Sequence, residues 1–151
     1  MSLDNRTSLF RMQIALRWRD LDAFNHVNNS NFMTYLEEAR IRWFESLGEE
    51  WVTETMAPLL AAVQMNYRVP IPYPAEVIVE LFADRVGNSS VTIGHAIASA
   101  DGATLYADGH VVMVWVERAS GRPTPLPDAV RRAATGEPAS DKPAGDKGDR
   151  R

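Results

Sequence analysis

The chain reads as an α+β protein in which one long helix packs against an antiparallel sheet of five strands. Three observations carry this. The residues from Phe32 to Leu47 repeat their apolar positions with a helical period. Four later segments are rich in Val, Ile, Leu, Ala and aromatic residues. The stretches between them, "PIPYP", "VGNSS" and "ADGA", are turn-formers. A helix with one apolar stripe needs a second layer, and a curved sheet supplies it.

The elements follow in order. In "RMQIALRWR", residues 11–19, Met12, Ile14, Leu16 and Trp18 alternate with Arg11, Gln13, Ala15 and Arg17, the signature of a strand. Phe32, Tyr35, Leu36, Ala39, Trp43, Phe44 and Leu47 then mark one face of a helix. Glu37, Glu38, Arg40, Arg42 and Glu45 fill the other face, and Glu37 with Arg40 reads as a surface pair at i, i+3. Asn28, Asn29 or Ser30 can cap the helix start through a side-chain oxygen, and Gly48 can stop its end. A short helix over 49–57 is expected next. Strands follow over 59–69, 75–86, 90–100 and 104–118. The last two connections are short, so those strands are expected to be antiparallel neighbours. "DAVRRAA" can add one or two helical turns. One domain is expected over residues 1–135. The tail from Gly136, "GEPASDKPAGDKGDRR", has no large apolar residue and is expected to be disordered.

Composition bounds the function. The 151 residues are 45% hydrophobic and 24% charged, with a net charge of −4. That balance suits a globular protein and lacks the basic excess of a nucleic-acid binder. No cysteine is present, which removes thiolate metal sites and a cysteine nucleophile. No segment has the apolar length of a signal peptide or membrane span, so a cytoplasmic protein is expected. G-x-S-x-G, G-x-G-x-x-G, the P-loop and H-E-x-x-H are all missing. No metal site is expected.

The densest chemistry lies in "RDLDAFNHVNNSNFMTYLEEAR", residues 19–40. It resembles the signature of the 4-hydroxybenzoyl-CoA thioesterase-like acyl-CoA thioesterases, which have the hotdog fold. The matching residues are Asp20, Asp22, His26, Val27, Asn28, Asn29, Phe32, Tyr35, Glu37, Ala39 and Arg40. "VQMNYRVP" and "RPTPLP" resemble two later segments of that family, so the likeness spans about residues 10–130. Asn25 stands where the family usually has glycine. Asparagine tolerates positive φ, so the turn is expected to survive with a narrower pocket mouth.

The resemblance implies hydrolysis of an acyl-CoA to a carboxylic acid and free CoA. It assigns the catalytic carboxylate to Asp22, as general base or nucleophile. The ordinary reading of such an aspartate is a loop tie, and that role is expected for Asp20. Backbone N–H groups at the helix start, near Asn29, would polarise the thioester carbonyl. His26 is a further candidate for the chemistry. Asn25, Val27, Asn28, Phe32 and Ser90 are candidates for substrate contact, Ser90 from within an assembled dimer. Arg68, Arg85, Arg118 and Arg122 are candidates for the CoA phosphates. No bound cofactor is implied, since CoA is part of the substrate. In related proteins two subunits join their sheets around the site, so a homodimer or homotetramer is expected. A non-catalytic acyl-CoA or lipid-binding protein of the same fold is the alternative.

Overall fold

A computed structural model describes residues 5–48 and 50–137. Strand β1 spans Ser8–Ala15, helix α1 Asn29–Ser46, and strands β2 to β5 span Met56–Tyr67, Glu76–Val86, Ser90–Ser99 and Leu105–Glu117. A second helix, α2, spans Asp128–Thr135. The strands form one antiparallel sheet in the order β1-β3-β4-β5-β2. The two pairs with short connections, β3–β4 and β4–β5, are neighbours as expected.

The buried face of α1 carries Phe32, Tyr35, Leu36, Ala39, Trp43 and Phe44, all named by the periodicity. They pack on Val77, Val79 and Leu81 of β3, on Val91, Ile93 and Ile97 of β4, and on Val111, Met113 and Trp115 of β5. Phe44 stacks on Trp51 at 4.9 Å and meets Trp115 edge-on at 5.5 Å. Burying each large apolar side chain contributes about 2–3 kcal/mol.

Several expectations are corrected. The first strand ends at Ala15, and Trp18 enters a short 3-10 turn, Trp18–Asp20, with 78% of its surface exposed. The cause lies in Arg17 and Asp20: the Arg17 N–H donates to Asp20 Oδ2 at 3.0 Å and closes the chain into a turn. No helix forms over the described residues 50–55. There Thr53 Oγ1 accepts from the N–H groups of Thr55 and Met56 and makes a local turn instead. Arg40 is not a surface partner of Glu37. It is buried, and Glu38 pairs with Arg42 at 2.7 Å. The picture of one helix is also incomplete, because α2 buries Ala129, Val130 and Ala134 and packs against β3. The tail expected to be disordered lies outside the described residues from 138 onward.

The sheet is unevenly covered. β3 and β4 are buried on both faces for most of their length. On the side away from α1, the Arg6 guanidinium lies 4.8 Å from the Phe82 ring centre. β2 is an edge strand, and it leaves Leu59, Leu60, Val63 and Tyr67 between 44% and 54% exposed. Its edge position also accommodates Pro58, which has no ladder N–H to give.

Candidate active site

The strand-to-helix loop is built from its two aspartates, which have different work. Asp20 is buried, and its carboxylate accepts from the Arg17 N–H, the Arg17 guanidinium at 3.2 Å and the Tyr35 hydroxyl at 2.8 Å. Its carbonyl accepts from the Asn28 N–H and from Asn31 Nδ2, both at 2.9 Å. Asp20 therefore ties the loop to the first turns of α1, as expected of it.

Asp22 is half-buried and sits at the opening of a tight reversal. Its N–H donates to the His26 carbonyl at 2.9 Å, and its carbonyl accepts from the Asn25 N–H at 3.1 Å. Its Oδ1 accepts from the Phe24 N–H at 2.8 Å. Oδ2 has no hydrogen bond among the described residues. Asn25 takes φ 60°, the left-handed conformation that glycine would adopt more freely. Asparagine's short polar side chain tolerates it, and the turn survives the departure from glycine.

The helix start is only partly capped. Asn28 Oδ1 accepts from the Ser30 N–H at 3.0 Å, and the Asn28 carbonyl accepts from the Asn31 N–H at 2.8 Å. The Asn29 N–H has no partner among the described residues. It sits at the end of α1 that carries positive partial charge.

These groups face a cleft of about 360 Å³. The loop and helix side contributes Asp22, Phe24, His26, Val27, Asn29 and Phe32, and the end of β2 with its following loop contributes Tyr67, Arg68, Val69 and Pro70. Val27 is anchored by its N–H to the Ile71 carbonyl at 3.1 Å, which draws the two sides together. The apolar lining suits an acyl group. Asp22, which brings a carboxylate, and Asn29, which brings a helix-start N–H, both line the cleft, and such a pair of groups suits attack on a carbonyl.

The structure thus brings Asp22, His26, Val27, Asn29 and Phe32 together. Asn25 and Asn28 shape the loop and cap the helix but do not line the cleft. Ser90 is not there in the single chain. It pairs with Val114, while the cleft end of the sheet holds Tyr67 opposite Ala107 and Ala107 opposite Ile97. Seven residue steps along β4 separate Ser90 from Ile97, roughly 23 Å of extended strand. Of the four candidate arginines, Arg68 lines the cleft, and its Nε is 2.9 Å from Asp108. Among the described residues no group of three or more His, Asp or Glu side chains could hold a metal ion. Sequence reasoning missed Phe24, Tyr67, Val69 and Pro70. The exposed aromatic of "DAF" was a usable signal for the first; the others depend on how β2 meets the helix start.

The model of the thioesterase-like superfamily matches residues 16–134 of the chain. The chain belongs to this superfamily. Among solved structures, this thioesterase-like chain is similar to the PA2801 protein of Pseudomonas aeruginosa, with 39% identity, a TM-score of 0.79, and 84% of this chain and 98% of that one covered. It is similar to a Thermus thermophilus thioesterase complexed with coenzyme A and Zn, with 36% identity, a TM-score of 0.72, and 87% and 97% covered. Over 60 residues it is 37% identical to the long-chain acyl-CoA thioesterase FadM of Escherichia coli, 38% of this chain and 46% of that protein. The five-stranded antiparallel sheet with two helices agrees with the hotdog fold of such enzymes, and the chain is a thioester hydrolase.

Proposed function

We propose that the cleft hydrolyses acyl-CoA thioesters, with Asp22 as the catalytic carboxylate and the Asn29 N–H as the oxyanion donor. The observation that carries this reading is that Asp22 and Asn29 line one cleft, and that among the described residues one Asp22 oxygen and the Asn29 N–H at the helix start have no hydrogen-bond partner. As general base, Asp22 takes a proton from water while the water oxygen attacks the thioester carbon. The carbonyl oxygen gains charge at the Asn29 N–H, a single donor of a kind that contributes ~3 kcal/mol in the transition state. Collapse breaks the carbon–sulfur bond, and Asp22 returns the proton to the departing thiolate. As nucleophile, Asp22 would form a mixed anhydride that water then opens. Single turnover in heavy-oxygen water tests the second, since water that opens the anhydride at the Asp22 carbonyl leaves label in Asp22, which general-base attack never does. His26, exposed at the same cleft, is positioned to assist the leaving group. No bound cofactor takes part, and CoA enters as half of the substrate.

Phe24, Val27, Phe32, Val69 and Pro70 favour an apolar acyl group, and Arg68 offers charge toward the CoA phosphates. The Thermus relative described with coenzyme A and the acyl-CoA thioesterase FadM support the same carrier. The exposed apolar edge of β2 supports pairing of two copies, and from there a tetramer. Among the described residues no helix is long and apolar enough to cross a membrane. We place the reaction in the cytoplasm, which the cysteine-free composition fits.

One observation favours the other reading. Phe24 already holds Asp22 Oδ1, as it would in a purely structural loop. A non-catalytic acyl-CoA-binding protein would show the same bond. Thiol release from short, long and aromatic acyl-CoAs, for wild type and Asp22→Asn, decides between them. Loss of turnover by about a hundredfold or more with binding retained supports the enzyme mechanism. Binding without turnover in wild type supports the binding protein.

A further inference from the structure

Tyr67 ends the edge strand β2 and stands across the cleft from the start of α1. α1 approaches β1 and β3 most closely, and its side chains also meet β4 and β5. At the cleft, Tyr67 joins β2 to the helix start with two contacts. Its hydroxyl donates to the Asn29 carbonyl at 3.1 Å. Its ring meets Phe32 edge-on, with centroids 5.0 Å apart and planes at 79°. Asn29 and Phe32 both line the cleft, and Tyr67 itself is 49% exposed, so its ring is open to a ligand.

We propose that Tyr67 is a positioning residue for thioester hydrolysis, whose hydroxyl fixes the helix start and whose ring sets the depth of the acyl pocket. This rests on the reading of the cleft given above. The first turn of α1 is held from the loop side by the Asp20 carbonyl, which takes Asn28 N–H and Asn31 Nδ2. Tyr67 holds it from the sheet side, at the residue whose N–H is the oxyanion donor. A hydrogen bond weakens steeply as its donor turns away from the acceptor. Displacing a reacting group by about 1 Å can cost ~100-fold in rate. Releasing the Asn29 carbonyl therefore acts on the chemical step more than on substrate capture. The ring acts separately. Its edge-on contact with Phe32 closes the apolar end of the cleft, where an acyl chain would terminate.

The two roles separate in two variants. Tyr67→Phe keeps the ring and removes the hydroxyl; Tyr67→Ala removes both. Each is assayed by thiol release on short, medium and long straight-chain acyl-CoAs and on benzoyl-CoA, beside thermal melts. The expected result for Tyr67→Phe is a roughly tenfold fall in kcat at every acyl length, with KM within about twofold. Tyr67→Ala is expected also to move the preferred acyl group toward longer or bulkier ones. Wild-type kcat in Tyr67→Phe, or a lowered Tm with unchanged kcat per folded enzyme, overturns the positioning role. An unchanged acyl profile in Tyr67→Ala overturns the role of the ring. No thiol release by wild type from any acyl-CoA overturns the acyl-CoA reading itself, a failure distinct from the other two.

Discussion

The hydroxyl of Tyr35, on the buried face of α1, donates to Oδ2 of Asp20 at 2.8 Å and joins the helix to the loop before it. Burial pushes the Asp20 carboxyl up, but hydrogen bonds from the Arg17 N–H, Tyr35 and the Arg17 guanidinium together outweigh it and hold it below the usual range. Burial and the Asp20 charge push the Tyr35 phenol up, in agreement with the same bond. Tyr35→Phe should therefore cost about 1–2 kcal/mol near neutral pH. A lowered carboxyl adds stability that is complete above its unfolded pKa, about 4, and is lost as pH falls through its folded value. Urea melts of wild type and Tyr35→Phe should differ at neutral pH and converge in strong acid.

His95 should make the fold acid-sensitive. It is buried in β4, and its Nε2 has no hydrogen-bond partner among the described residues. Burial first, then the charges of Arg40 and His110, push its pKa down to about 4. Between about pH 6.5 and 4 the unfolded chain then binds a proton that the folded chain refuses. Stability should fall as pH drops through that window, by up to about 3 kcal/mol from this residue alone. His95→Gln should flatten the dependence there, read from Tm against pH. The measured slope also contains carboxylate contributions, so the difference between the two proteins is the quantity to compare.

Two glycines of the sheet should respond differently to alanine. At Gly109, with φ 152°, an added Cβ would lie 2.0 Å from the Gln64 backbone oxygen, which belongs to the neighbouring strand and cannot swing aside. At Gly94 the added atom meets the Arg6 guanidinium, the far end of a flexible side chain that can shift while keeping its place near Asp84 and the Phe82 ring. Gly109→Ala should destabilise by about 2 kcal/mol or more, and Gly94→Ala by less than about 1. Chemical denaturation of both variants checks the order.

Asn25 should tolerate glycine and resist a branched side chain. Its φ of 60° costs a β-branched residue about 1–2 kcal/mol, so Asn25→Val should destabilise the loop by that much. Because Asp22 and Asn25 close the same turn, Asn25→Val should also lower kcat while Asn25→Gly preserves it. Thiol-release kinetics with thermal melts test both.

The sequence made most of this architecture legible because its signals were local. The apolar period from Phe32 to Phe44 marked the buried face of α1 before any packing was known. It could not mark Arg40, whose burial depends on what faces it. Trp18 continued an alternating pattern, yet the strand ends three residues earlier, at Ala15, and the bond between Arg17 and Asp20 then turns the chain. The loop half of the cleft lay in one continuous stretch and was readable there. Its other half, from Tyr67 to Pro70, comes from the end of an edge strand and the loop after it, nearly forty residues on in the chain, and no local pattern links it to Asn29. Strand register, not composition, likewise sets Ser90 at the far end of β4 from this cleft within the single chain.

The edge position of β2 gives that strand a double exposure to the surroundings. Its middle, Leu59 to Val63, meets whatever seats itself on the sheet margin, and its end, Tyr67, touches the helix start. A neighbour that straightens or twists the margin would be felt at the cleft without reaching it. Were two copies to pair along this margin as proposed, specific activity would follow protein concentration by mass action and change on dilution.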